Sequence, residues 1–96
     1  MRPQKVTEIG DLFLFMVYYF YIIYSAILNK YYIGHTNNLK GRISRHNSNH
    51  KGFTGKVNDW VVVYSEEYPT KPEAYSREMK VKSWKSRRKI EELINI

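Results

Sequence analysis

The chain has 96 residues, 43% hydrophobic and 16% aromatic, the composition of one folded domain rather than of a disordered tail. At that length only roughly 60–70% of the unfolded surface can be buried, which allows one core and one site and leaves no room within these residues for a separate recognition domain. Sixteen Lys and Arg against nine Asp and Glu give a formal charge of +7, pointing to a polyanionic partner; the absence of cysteine excludes disulfides, thiolate zinc sites and cysteine nucleophiles.

Residues 1–16 read as an N-terminal arm and 17–96 as the domain. The arm and the segment up to residue 29 carry only Arg2, Lys5, Glu8 and Asp11, so the whole positive excess lies from Lys30 onward. Glu8 and Asp11 interrupt the charged start, and no small-residue cleavage site follows, so a secretory signal is not expected. The lack of cysteine fits a reducing cytoplasm, the expected location. From Leu12 to Leu28 no residue is charged, close to the lower limit for a membrane-spanning segment. Four tyrosines near its middle, and its richness in β-formers, favour a buried strand with an apolar lead-in over a membrane span.

Val17 to Tyr24 alternates Tyr19, Tyr21 and Ile23 on one face with Tyr18, Phe20, Ile22 and Tyr24 on the other, the pattern of a central strand. Ser25 to Lys30 connects it to a second strand, Tyr31 to Gly34. A hairpin centred between Ala26 and Ile27 sets Tyr21 opposite Tyr32, so two phenols share one neighbourhood. Asn37 or Asn38 caps a helix running to about Asn47, whose stripe is Leu39, Arg42, Ile43 and His46. Arg42 and His46 on the apolar stripe suggest a site, although an arginine at a stripe edge and a histidine near a helix end are also common structural choices.

His50 to Asn58 is a glycine-broken basic loop with Lys51, Phe53 and Lys56, readable as a surface loop or as a phosphate contact. Trp60 to Tyr64 suits a third strand. Thr70-Lys71-Pro72-Glu73 has the form of a capping box, starting a helix that continues through about Lys82 with Ala74, Tyr75, Glu78 and Val81 inward. A carboxylate on that stripe is held by an ion pair or by a metal, and both readings stand. Ser86 caps a last helix that buries Ile90, Leu93 and Ile94. The densest charge lies at Arg77, Lys80, Lys82, Lys85, Arg87, Arg88 and Lys89. With Lys51 and Lys56, all of these but Lys89 are the candidate nucleic-acid contacts; a solvated helix face is the plain alternative.

Tyr19-Phe20-Tyr21, Tyr32-Ile33-Gly34 and the helix signature Asn38 to His46 resemble the GIY-YIG endonuclease domain, in particular its small stand-alone members. The segment from Ala74 through Glu78 to Ile94 is similar to that family's closing region. The resemblance implies an α+β fold, a small three-stranded antiparallel sheet flanked by helices. It also implies cleavage of DNA, branched or damaged DNA among the candidates, dependent on a single Mg²⁺ or Mn²⁺ and with sequence choice left to a protein partner or to DNA structure. Carried over, the catalytic residues are Tyr21, Tyr32, Arg42, His46 and Glu78. Glu78 would be the metal ligand and Arg42 the phosphate clamp; Tyr21 would be the general base helped by His46, and Tyr32 would orient the water or the phosphate. Three departures are visible. Tyr19 replaces the motif's glycine, Gly41 lies inside the first helix at a cost of roughly 1 kcal/mol against alanine, and Asn95 lies too near the end to match the family's late asparagine. A binding module that keeps the fold but does not cut is the competing reading.

Overall fold

The computed structural model describes residues 16–96, so the expected arm over 1–16 lies outside the described residues except for Met16. Strand β1 (Tyr18–Ser25) is the middle strand of a three-stranded antiparallel sheet ordered β2-β1-β3, with β2 at Lys30–Thr36 and β3 at Val61–Tyr68. Helices α1 (Leu39–His46), α2 (Lys71–Ser83) and α3 (Arg87–Ile94) cover it, and a single 3₁₀ turn occupies Phe53–Lys56. Among the described residues no helix is long and apolar enough to cross a membrane, and Tyr18–Ser25 within the uncharged stretch is the central strand β1.

β1 is apolar on both sides because both sides are covered. Phe20 and Ile22 pack with Ile33, Val81 and Leu93 under α2 and α3, while Tyr21 and Ile23 pack with Trp60, Leu39 and Ile43 under α1. The hairpin pairs Tyr21 with Gly34 and Ile23 with Tyr32, two residues away from the expected register. The turn takes four residues between Ser25 and Lys30, with Asn29 left-handed at φ 54. Asp59 holds that turn, accepting from Ser25 Oγ at 2.6 Å and from the Ile27 amide at 2.9 Å. A shift of two preserves the strand's alternation, so Tyr21 and Tyr32 stay on one face.

β3 begins one residue after Trp60 and runs to Tyr68, longer than expected. Val63 is the extra residue of a bulge, because Ile22 faces Tyr64 while Ile23 faces Val62. The acidic end stays in the sheet because Glu66 is fully partnered. It accepts from Arg77 at 2.9 and 3.1 Å and from the hydroxyls of Tyr64 and Tyr68 at 2.6 Å each. Arg77 in turn lies over the rings of Phe20 and Trp84. This residue, expected to contact nucleic acid, is half-buried and paired with Glu66.

All three helix starts follow their caps. Asn38 Oδ1 accepts from the Gly41 amide at 3.0 Å, and a Cβ on Gly41 would lie 2.5 Å from Asn38 Nδ2, so the glycine makes room for the cap. Thr70 and Ser86 accept from the amides of Glu73 and Lys89. Tyr75, expected inward on α2, is instead half-exposed and meets the His35 ring edge-on. At the start of α3, Arg87 is latched to the hairpin turn, donating to the Asn29 carbonyl at 2.8 Å and its Oδ1 at 2.7 Å while stacking on Tyr31.

Burial pushes the Glu66 carboxyl up, but the bonds from Arg77, Tyr64 and Tyr68 outweigh it and hold the group below its ordinary value of 4.5. Its stabilisation is therefore full above that value, where the unfolded chain is also ionised, and is lost as pH falls through the folded value. Chemical denaturation between pH 7 and 3 checks this. Glu66→Gln is expected to lose on the order of 1–3 kcal/mol at pH 7 and to show a shallower decline below pH 5.

Candidate active site

The Tyr21 ring lies across Gly34 on the neighbouring strand: a Cβ at Gly34 would be 2.5 Å from Tyr21 Oη and 2.7 Å from Cζ. Only glycine permits that approach. Tyr21 is fully buried, and its hydroxyl bonds to His46 Nε2 at 2.7 Å. The Tyr32 ring packs edge-on against the same imidazole, centroids 4.9 Å apart. One histidine on the last turn of α1 thus holds both phenols that the sequence pattern brought together.

His46 is held on its other side as well. Its Nδ1 shares a 2.8 Å bond with Thr54 Oγ1, which bonds to His50 Nε2 at 3.0 Å, and His50 Nδ1 accepts from the Gly52 amide at 3.0 Å. Burial lowers the His46 pKa to about 4, with Arg42, His50 and Arg45 adding to the effect, so the imidazole is neutral near pH 7. Burial likewise pushes the Tyr21 phenol up to about 12, with Arg42 as the main opposing influence. Tyr21 is therefore a protonated, buried phenol near neutrality, which does not suit the general-base role expected of it. Tyr32, half-buried, is the phenol that reaches open space: with Arg42, Arg45, His50 and Phe53 it lines a cavity of about 400 Å³.

Glu78 comes from the other side of the sheet. It is 7% exposed and lies on α2. Its Oε1 is 2.6 Å from His35 Nδ1, and its Oε2 accepts from Lys82 Nζ at 2.6 Å. His35 follows Gly34 directly on β2, so the carboxylate and the Tyr21 hydroxyl are separated by little more than a strand that carries no side chain between them. Glu78 is near enough to add a small upward push to the Tyr21 pKa. Arg42, exposed on α1, joins the two sides. It lines the larger cavity with Tyr32 and also a smaller one of about 200 Å³ with His35, Thr36 and Lys71.

Among the described residues no three His, Cys, Asp or Glu side chains cluster as a metal cage. A hydrated Mg²⁺ or Mn²⁺ needs less, one carboxylate with waters and a substrate oxygen, and Glu78 fits that demand once Lys82 moves from Oε2. Lys82 is half-exposed on a flexible stem and can do so. His35, Thr54 and His50 are site residues that the sequence reading missed. Alternation places His35 opposite Tyr32 in facing, a usable signal, whereas Thr54 and His50 sit in an irregular loop with no periodicity to mark them. Among the basic residues proposed for nucleic acid, Arg77, Lys82 and Arg87 bond to Glu66, Glu78 and Glu91, and Arg88 approaches Glu92 at 3.5 Å. Lys51, Lys56, Lys80 and Lys85 have no ion pair among the described residues.

Removing the Thr54 hydroxyl leaves nitrogens of two imidazoles without their partner. Thr54→Val is expected to destabilise by on the order of 1–3 kcal/mol, and Thr54→Ser to recover most of the loss. Equal urea midpoints for wild type and Thr54→Val would contradict the bonded chain.

A family model described as the GIY-YIG catalytic domain matches residues 17–91. No curated protein and no solved structure matches the chain. The matched span runs from the residue before β1 into α3 and takes in both phenols, Arg42, His46 and Glu78, on the three-stranded α+β frame just described. The chain belongs to the GIY-YIG catalytic domain family, a nuclease-type fold.

Proposed function

We propose that this protein is a divalent-metal-dependent endonuclease that hydrolyses DNA phosphodiester bonds with little intrinsic sequence preference. The observation that carries the reading is the junction at Gly34 and His35: the Tyr21 hydroxyl lies on one face and the Glu78 carboxylate, bonded to His35, on the other, and the exposed Arg42 lines both the cavity walled by Tyr32 and the one walled by His35. Arg42 grips a phosphate oxygen by charge-assisted hydrogen bonds, and Tyr32 orients the attacking water. Tyr21 and His46 form the buried support that fixes Tyr32 and Arg42. A cation bound at Glu78 supplies charge neutralisation at the phosphate. In this reading sequence choice falls to a protein partner or to the shape of the DNA.

Incubation with nicked, branched and plain duplex DNA in Mg²⁺ or Mn²⁺ tests this directly. Arg42→Ala and Glu78→Ala are each expected to lower the cleavage rate at least ~100-fold. Cleavage unchanged in both variants would overturn the assignment.

One feature favours a second reading, a nucleic-acid binder that does not cut: both Glu78 oxygens already have partners in His35 and Lys82. The two readings part on Lys82. If its ammonium merely competes with a cation, Lys82→Met tightens Mn²⁺ binding, read as loss of the free-ion paramagnetic resonance signal, by roughly tenfold for each ~1.4 kcal/mol of competition removed. A binding-only protein shows no Mn²⁺ uptake in either form, together with salt-sensitive DNA affinity.

A further inference from the structure

Phe53 takes no part in the site as described, yet it is 42% exposed and lines the larger cavity with Tyr32, Arg42, Arg45 and His50. The ring is not loose. It opens the 3₁₀ turn Phe53–Lys56, which the Gly55 amide closes onto the Gly52 carbonyl at 3.1 Å. A Cβ on Gly55 would lie 2.0 Å from the His50 carbonyl oxygen, so the turn keeps this shape only with glycine there. The ring rests 6.2 Å from buried Trp60, whose indole N–H is fixed by the Thr54 carbonyl at 2.8 Å. An aromatic side chain ordered in advance loses little freedom when it binds. Lys56 places its ammonium 5.5 Å from the ring centroid, so a positive charge stands beside the ring where a nucleotide would bring a phosphate.

Arg42 borders both cavities, so a phosphate held by it sits at their boundary and the adjoining nucleotide of the same strand falls into the larger one. A volume of about 400 Å³ admits a nucleobase with its sugar. A base paired inside a duplex cannot enter without first leaving the stack, whereas an unpaired one enters without that cost. Arg45, also on the cavity wall, is placed for a neighbouring phosphate.

We propose that this cavity is a nucleobase subsite: an unpaired nucleotide beside the target phosphate lodges in it with its base stacked on Phe53. The inference rests on the nuclease reading and deepens it, naming DNA with an unpaired nucleotide next to the cut as the substrate class.

The test uses the full chain in EDTA, with two DNA probes of the same sequence: a continuous duplex, and that duplex with one unpaired 2-aminopurine nucleotide. Fluorescence anisotropy gives affinity, and 2-aminopurine quenching reports stacking. Wild type is expected to bind the bulged probe more tightly and to quench it. Phe53→Ala is expected to weaken bulged-probe binding by roughly fivefold to 150-fold, the range for one base stacked on an aromatic side chain, with duplex affinity unchanged. Phe53→Leu, which keeps apolar volume against Trp60 but has no π-face, is expected to match the alanine variant, and Phe53→Trp to bind like wild type. Equal loss on both probes, or no loss on either in Phe53→Leu, overturns the subsite. With metal chelated, absence of cleavage in the nuclease assay leaves this result readable, so the two readings fail separately.

Discussion

The Tyr21 ring crossing the bare backbone of Gly34 is the contact on which the site depends. A side chain at that position would drive the phenol off the strand and with it the bond to His46, which in turn holds Tyr32. The same gap brings the two halves of the site within electrostatic reach. Tyr21, Tyr32 and His46 belong to the α1 face of the sheet, and Glu78 with His35 to the α2 face. In most sheets a strand's own side chains would separate such groups; here the separating residue has none.

Burial divides the members of the constellation. Full burial of Tyr21 and near-full burial of His46 shift both toward their neutral forms, the phenol to about 12 and the imidazole to about 4. Neutral, hydrogen-bonded and enclosed groups serve as rigid support. Arg42, exposed, and Tyr32, half-buried, are the members that line the open cavity. A domain of this size cannot build a broad second layer of supporting residues, so a single imidazole bonded at both nitrogens takes that part, and the loop through Thr54 and His50 becomes structurally tied to strands far away in sequence.

Much of this was legible in the sequence because it follows from local rules. The alternation of β1, the Asn38, Thr70 and Ser86 caps and the stripe of α1 each depend on residues a few positions apart, and the elements form where those rules put them. What could not be read depends on distant partners. The hairpin register shifted by two because Asp59, some thirty residues downstream, fixes a four-residue turn. β3 ended four residues later because Glu66 found Arg77 on another element. Thr54 joined the site through a contact across a loop that no spacing pattern encodes, and for His35 alternation marks the face but not the bond to Glu78 across the sheet.

The positive charge shows the same division. Read along the chain, the run from Arg77 to Arg88 looks like the nucleic-acid face, but Arg77, Lys82 and Arg87 are neutralised by Glu66, Glu78 and Glu91 within the fold. Of these pairs only Arg77–Glu66 is well shielded; the Lys82 and Arg87 cations are about half-exposed, and such pairs hold their partners weakly. Arg42 and Arg45 on α1 and Lys51 and Lys56 in the loop have no ion pair among the described residues, and all four lie on or near the walls of the larger cavity. Counterion release on binding follows the phosphates actually neutralised rather than formal charge. α1 and the Lys51–Lys56 loop therefore place cations free of ion pairs on the surface that holds Tyr32 and Phe53, while Lys80 and Lys85, equally free of ion pairs among the described residues, stand on α2 and just after it.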